Sequence, residues 1–248
     1  MKKFFMFLAV IGLIAISAQY AAAQSPEMSA QELMSSTSDV PVYQQIKAKF
    51  IDGGVEFMGS VLLCLILGLA LAIERIIYLN LATTNTTKLL AKVSEALNNG
   101  GVEAAKEVCR NTRGPVASIF YQGLSRMNEG IEAVEKSVVS YGSVQMSQME
   151  NGLSWIQLFI AIAPMLGFMG TVIGMIGAFD AIQAAGDISP TVVAGGIKVA
   201  LITTVAGLIV AIILQLFYNY IVAKIDSIVV SMEEASISLI DMLVNAKK

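Results

Sequence analysis

A threonine hydroxyl set deep in an apolar helix can contact water, an ion or a carboxylate brought by a partner. Thr171, Thr203 and Thr204 occupy such places, in the stretches "APMLGFMGTVIGMIGAF" and "GGIKVALITTVAGLIVAIILQLFYNY". The same hydroxyls can instead bond the carbonyl four residues back or a neighbouring helix. Composition does not separate the two readings. Lys198 places a charge inside the second stretch. If Ser189 caps that helix and Pro190 opens it, Lys198 lies about 12 Å along the axis. It then either snorkels to the outer surface or faces a vestibule, where it pairs with a partner or gates ions. Asp180, Asp187 and Glu56 sit at the same outer level, either as solvated rim charges or as a cation-attracting vestibule. Gly167, Gly170, Gly174 and Gly177 run along the first stretch and Gly207 lies in the second. Gly170 and Gly174 form a GxxxG pair, which permits close backbone approach.

What is missing narrows the chemistry. No Asp or Glu stands at the centre of any long apolar stretch, although a proton relay through lipid needs an ionisable group near the middle. The chain therefore either conducts nothing or lines a path whose carboxylate comes from a partner. It has no histidine, the commonest metal ligand and general base. Cys64 lies in an apolar span and Cys109 in a polar segment, which gives neither a disulfide nor metal spacing. A Walker loop and a strand-linked GxGxxG are both lacking. No catalytic residue, metal or cofactor is expected. A net charge of −3 does not argue for nucleic acid.

The elements that would position these residues follow from composition. The chain has 248 residues, of which 56% are hydrophobic and 14% charged. Soluble domains carry about 25% charged residues, so the deficit indicates membrane spans. Residues 1–23 read as a signal peptide: Lys2 and Lys3, an apolar run, then Ala21-Ala22-Ala23 before Gln24. An uncleaved anchor is the alternative. Residues 24–55 form an external tail, with a short helix near Val42–Phe50. Spans are expected at 56–79, 151–180 and 191–220, with an external loop at 181–190. With the start outside, the C-terminus lies inside. Seven Lys and Arg residues fall in 80–150 and none in 181–195, in keeping with that orientation.

Residues 80–150 carry a helical pattern throughout. Leu89, Leu90, Val93, Ala96 and Leu97 share a face before Asn-Gly ends the run. Pro115 is placed to open a further helix. From Ile131 the pattern continues into the second span, which predicts one very long helix with Pro164 as the place for a kink. Residues 221–248 extend the third span similarly. The fold class is an all-α membrane protein whose second and third spans run on into a cytoplasmic helical bundle.

With their order and short connecting loop, the two apolar stretches resemble the MotA/TolQ/ExbB proton channel family. "AIERIIYL" and "RGPVASIFYQGL" are similar to the family's first-span end and cytoplasmic helices. The likeness covers about residues 55–240 and is greatest to ExbB, then TolQ. It implies a pentameric ring in the cell inner membrane. The second and third helices of each copy would surround an ExbD- or TolR-like single-span partner, whose aspartate carries the proton. Family pore threonines map onto Thr171 and Thr204. The ExbB branch works with TonB, which drives outer-membrane import. Two departures are visible. Several relatives carry a glutamate in "SEALxxT", where this chain has Val199 preceded by Lys198, and Ile213 stands where a proline often follows.

The expectation is an ExbB-like, non-enzymatic motor subunit in contact with membrane lipid. A TolQ-like subunit of a Tol-Pal envelope motor and a passive scaffold are the alternatives. A solute transporter would show inverted repeats, and no repeat is present.

Overall fold

In the computed structural model, residues 42–186 and 190–246 are described. The signal segment 1–23, the tail up to residue 41, Asp187 and the Ser189 cap lie outside them. Two units are distinguished, Met1–Ala48 and Lys49–Lys248. In the first, the described residues 42–48 are helical and begin α1 (Val42–Asp52). The second holds all the remaining elements.

These are α2 (Val55–Ala82), α3 (Thr86–Arg110), α4 (Pro115–Ser125), a 3₁₀ turn (Met127–Glu129), α5 (Ile131–Glu150), α6 (Leu153–Ala185) and α7 (Pro190–Ala246). No strand occurs among the described residues. Three of the long helical stretches are apolar enough to cross a membrane. At 1.5 Å per residue, α2 is about 42 Å long, α6 about 50 Å and α7 about 85 Å. A hydrocarbon core is about 30 Å thick, so more than half of α7 must project beyond it. The chain is an all-α, multi-pass membrane protein.

The projecting part of α7 is the spine of a helical bundle. Ile221, Ile225, Ile228, Met232, Ala235, Leu239 and Leu243 recur every three or four residues and are buried. They pack with Leu89 and Val93 of α3, Phe120 and Leu124 of α4, and Val134 and Val138 of α5. Local signals set the joints. Asn85 caps α3 by accepting from the Lys88 N–H at 3.1 Å. Pro115 opens α4. Thr84 Oγ1 donates to the Arg113 carbonyl at 2.6 Å, closing the α3 excursion on itself. α3 is kinked where the Asn-Asn-Gly-Gly run predicts a stop, with Gly101 at φ 71° and ψ −163°.

The structure corrects one expectation. The helix from Ile131 does not run unbroken into the second span: α5 ends at Glu150 and α6 starts at Leu153. Gly152 between them has φ 86° and ψ −12°, a left-handed conformation that favours glycine. Asn151-Gly152 is a chain-breaking dipeptide that the continuous apolar pattern masks. α6 itself passes through Pro164 without interruption.

A second, smaller cluster lies within the spans, where Val61 and Cys64 of α2 meet Ala163 of α6 and Val210 and Leu214 of α7. Most other apolar side chains of the spans face outwards, among them Leu63, Phe168 and Leu201. In the bundle, burial pushes the Cys109 thiol up to about 11.

Two outcomes test this core. Phe120→Ala should cost about 3–5 kcal/mol, read as a lowered melting temperature of the detergent-solubilised protein. At pH 7.5, Cys109 should resist maleimide in the folded protein and react at once when it is unfolded, because only the thiolate is nucleophilic.

Candidate functional site

α6 and α7 approach so closely that backbone meets backbone. A methyl group added at Gly207 would stand 2.5 Å from the Ala163 carbonyl oxygen and 3.2 Å from the Gly167 Cα. One added at Gly167 would stand 2.8 Å from the Thr203 carbonyl oxygen. At Gly170 it would meet the Thr203 side chain at 2.8–3.1 Å. Gly174 is in ordinary contact with the Gly196–Ala200 turn, at 3.4 Å or more. Gly177 is different, since a Cβ there would meet nothing within 4 Å. It lies outside the close contact. Gly196 belongs to it, because an added Cβ would collide with the Ala178 methyl. Lipid gives helices no hydrophobic reason to associate, so dispersion contact through small residues does that work.

This approach brings Thr171 of α6 and Thr204 of α7 together, their hydroxyl oxygens in direct hydrogen-bond contact. Each also reaches main-chain acceptors. Thr171 Oγ1 lies 3.1 Å from the Ala200 carbonyl and 3.3 Å from the Gly167 carbonyl. Thr204 Oγ1 lies 3.3 Å from both carbonyls. One hydroxyl therefore donates to the other, and each also has the Gly167 and Ala200 carbonyls within reach. Such a cluster can turn a hydroxyl toward an incoming acceptor and keep the other group bonded. Both threonines are half-buried.

Thr203 shares the Ala200 carbonyl with this pair but is buried more deeply. It is fully buried, donates to the Ala200 carbonyl at 2.8 Å, and packs on Gly170. Its place is inside the helix contact. The pair Thr171–Thr204 is flanked one turn away by exposed Phe168, Leu201 and Leu208, which lie on the same helix faces. The result is a polar spot in an apolar, outward-facing wall.

Matched to known families, residues 111–234 fit the model of the MotA/TolQ/ExbB proton channel family. A biopolymer transport protein ExbB homolog from Methanothermobacter thermautotrophicus is 36% identical over 193 residues, which is 71% of this chain and 68% of that protein. A biopolymer transport protein ExbB-like 1 from Synechocystis is 30% identical over 71% of this chain and 70% of its own length. The Tol-Pal system protein TolQ of Haemophilus influenzae is 25% identical, over 56% of this chain and 74% of that one. The chain belongs to the MotA/TolQ/ExbB proton channel family. Within that family it resembles the ExbB proteins more than TolQ.

The charged residues fall elsewhere. Asp180 is exposed in the last turns of α6. Lys198 is six residues before Thr204, hence about 9 Å up the helix and about 120° around it. Its ammonium bonds Asp52 of α1 at 2.7 Å. That bond, with Lys49 nearby, holds the Asp52 carboxyl below its usual range. Sequence reasoning missed Asp52 because nothing in its neighbourhood announces a partner 146 positions on. Arg75, by contrast, stands in the sequence as one of a charged pair with Glu74 beside Tyr78. That guanidinium bonds Glu74 at 2.7 Å and lies over the Tyr78 ring at 5.2 Å. A Cβ on Gly152 would sit 3.4 Å from its Nε.

The close contact is tested by paired substitutions. Gly207→Val should destabilise by about 1–3 kcal/mol through overpacking, lowering the melting temperature in detergent. Gly177→Ala should leave that temperature unchanged or raise it slightly.

Proposed function

We propose that this chain is the ExbB-like subunit of an inner-membrane proton-channel motor. It would couple protonmotive force to TonB-dependent import across an outer membrane. The observation that carries the reading is the Thr171–Thr204 pair, half-buried in an apolar wall, in spans that hold no central carboxylate. A wall of this kind suits a partner helix that supplies the missing acid. Family membership supports the same assignment.

In this reading several copies of the chain, five by family resemblance, ring a central path. α6 and α7 of each copy face inward. An ExbD-like single-span protein occupies the path and carries an aspartate to the level of the hydroxyls. Ionised, that aspartate accepts from Thr171 or Thr204 and from water. Neutral, it sits easily against Phe168, Leu201 and Leu208. Moving one proton through the membrane potential releases about 2.3 kcal/mol per 100 mV, which is available to turn one set of subunits against the other. The N-terminal segment lies in the periplasm after signal cleavage, and the bundle of α3, α4, α5 and the end of α7 lies in the cytoplasm. The coupled output acts through a TonB-like protein.

Removing one hydroxyl should stop transport without dissolving the complex. Thr171→Val and Thr204→Val should each abolish energised uptake while the chain still co-purifies with its single-span partner. Thr204→Ser, which keeps the hydroxyl, should retain uptake. Normal uptake by both valine variants would sink the proposal. Co-purification of a Tol-type set in place of a TonB-like protein would move the chain to the TolQ branch.

A further inference from the structure

Lys198 is a charge in a span that the hydroxyl path does not use. It lies about 120° around α7 from Thr204, on the side facing the start of α2. There its ammonium meets Asp52 at 2.7 Å. The other ion pairs among the described residues join neighbours within three positions, namely Glu74–Arg75, Glu103–Lys106 and Arg126–Glu129. Asp52–Lys198 is the one that joins separate elements.

A second contact lies one turn further along α7. Gly53 is buried, and a Cβ on it would stand 2.9 Å from Ile202 Cγ2 and 2.9 Å from Met58 Cγ. Charge and close packing thus hold the same joint, at Lys198 and Ile202 on a single face of α7. Immediately after it, Gly54 takes φ 81° and ψ 115° with no atom within 4 Å of a would-be Cβ. The chain can turn there, between the last turn of α1 and the first of α2. The charged groups around the joint are Lys49 on the last turn of α1, Glu56 on the first turn of α2 and Lys198 itself.

We propose that Asp52 and Lys198 form a clasp that fastens the outer end of the first span to the outer end of the third. Closed, the clasp makes the two helix heads move together. Open, Gly54 lets the joint swing while the span contacts deeper in the membrane persist. Both side chains remain partly exposed, 54% for Lys198 and 37% for Asp52, so water and competing ions reach the pair. Its strength should fall with ionic strength, because exposed charges are screened. This inference does not rest on the proton path.

Hydrogen–deuterium exchange of the full-length protein in lipid nanodiscs tests it without a partner or a gradient. In Asp52→Asn and in Lys198→Gln, peptides covering residues 49–58 should exchange several-fold faster, and peptides from the bundle should not change. In the wild type, raising the salt from about 0.01 M to about 1 M shortens the screening length tenfold and should produce the same acceleration. The neutral variants should ignore salt. The swapped pair Asp52→Lys with Lys198→Asp should restore slow exchange. Unchanged exchange in either neutral variant would overturn the clasp. So would a swap that fails to restore protection, which would leave packing of Gly53 on Ile202 as the whole of the contact.

Discussion

The contact on which everything else depends is the backbone approach of α6 and α7. Gly167 and Gly207 leave no room for a methyl between the helices. Within a membrane, nothing but dispersion and hydrogen bonding holds two apolar helices together, so the gap must be small for the attraction to count. The same small gap sets the threonines. Thr171 reaches the Ala200 carbonyl on the opposite helix at 3.1 Å, and Thr204 reaches Gly167 at 3.3 Å. Widening the contact by one side chain would take both acceptors out of range. Packing and polarity are therefore one feature here, and the hydroxyl pair is as precise as the glycines beneath it.

That coupling explains how a polar spot can persist in an apolar wall. An unsatisfied hydroxyl in hydrocarbon is costly. Here each hydroxyl has the other and two main-chain carbonyls within hydrogen-bond reach. A carboxylate built into the same wall would have no such resting state and would shift toward its neutral form. Holding the acid on a separate element, as the family reading implies, keeps the wall stable whether the acid is present or not.

The parts legible in the sequence were those with a local signature. Helix-period apolar residues gave the spans and the bundle faces. Pro115 marked a helix start and the Asn-Gly run before Val102 marked a kink. Gly167, Gly170 and Gly207 were visible as small residues on apolar helices, but nothing local distinguished them from Gly177, which contacts nothing. That distinction depends on which face meets α7, and only the pairing of distant segments decides it. The hidden parts were of the same kind. Gly68 receives Leu214 and Gly196 receives Ala178, and Asp52 finds Lys198, 146 positions further on. The break at Asn151-Gly152 was the exception. Its signal was local, and the apolar pattern on both sides overrode it.

The first span is attached differently from the other two. α6 and α7 meet backbone to backbone, whereas α2 packs through side chains along its length, from Val61 and Cys64 to Ala72 and Leu79. Near the start of α2 stand Asp52–Lys198 and Gly53 on Ile202. In the middle, Gly68 accepts the Leu214 side chain, and Cys64 and Val61 complete a small cluster. Toward the end of α2, Arg75 lies along the Gly152 turn. The middle level is apolar and indifferent to charge. Each end places an ion-paired side chain near a glycine of positive φ, Gly54 at φ 81° and Gly152 at φ 86°. The first span is therefore fixed to the third by an apolar seam that charge does not affect and by one ion pair that it does.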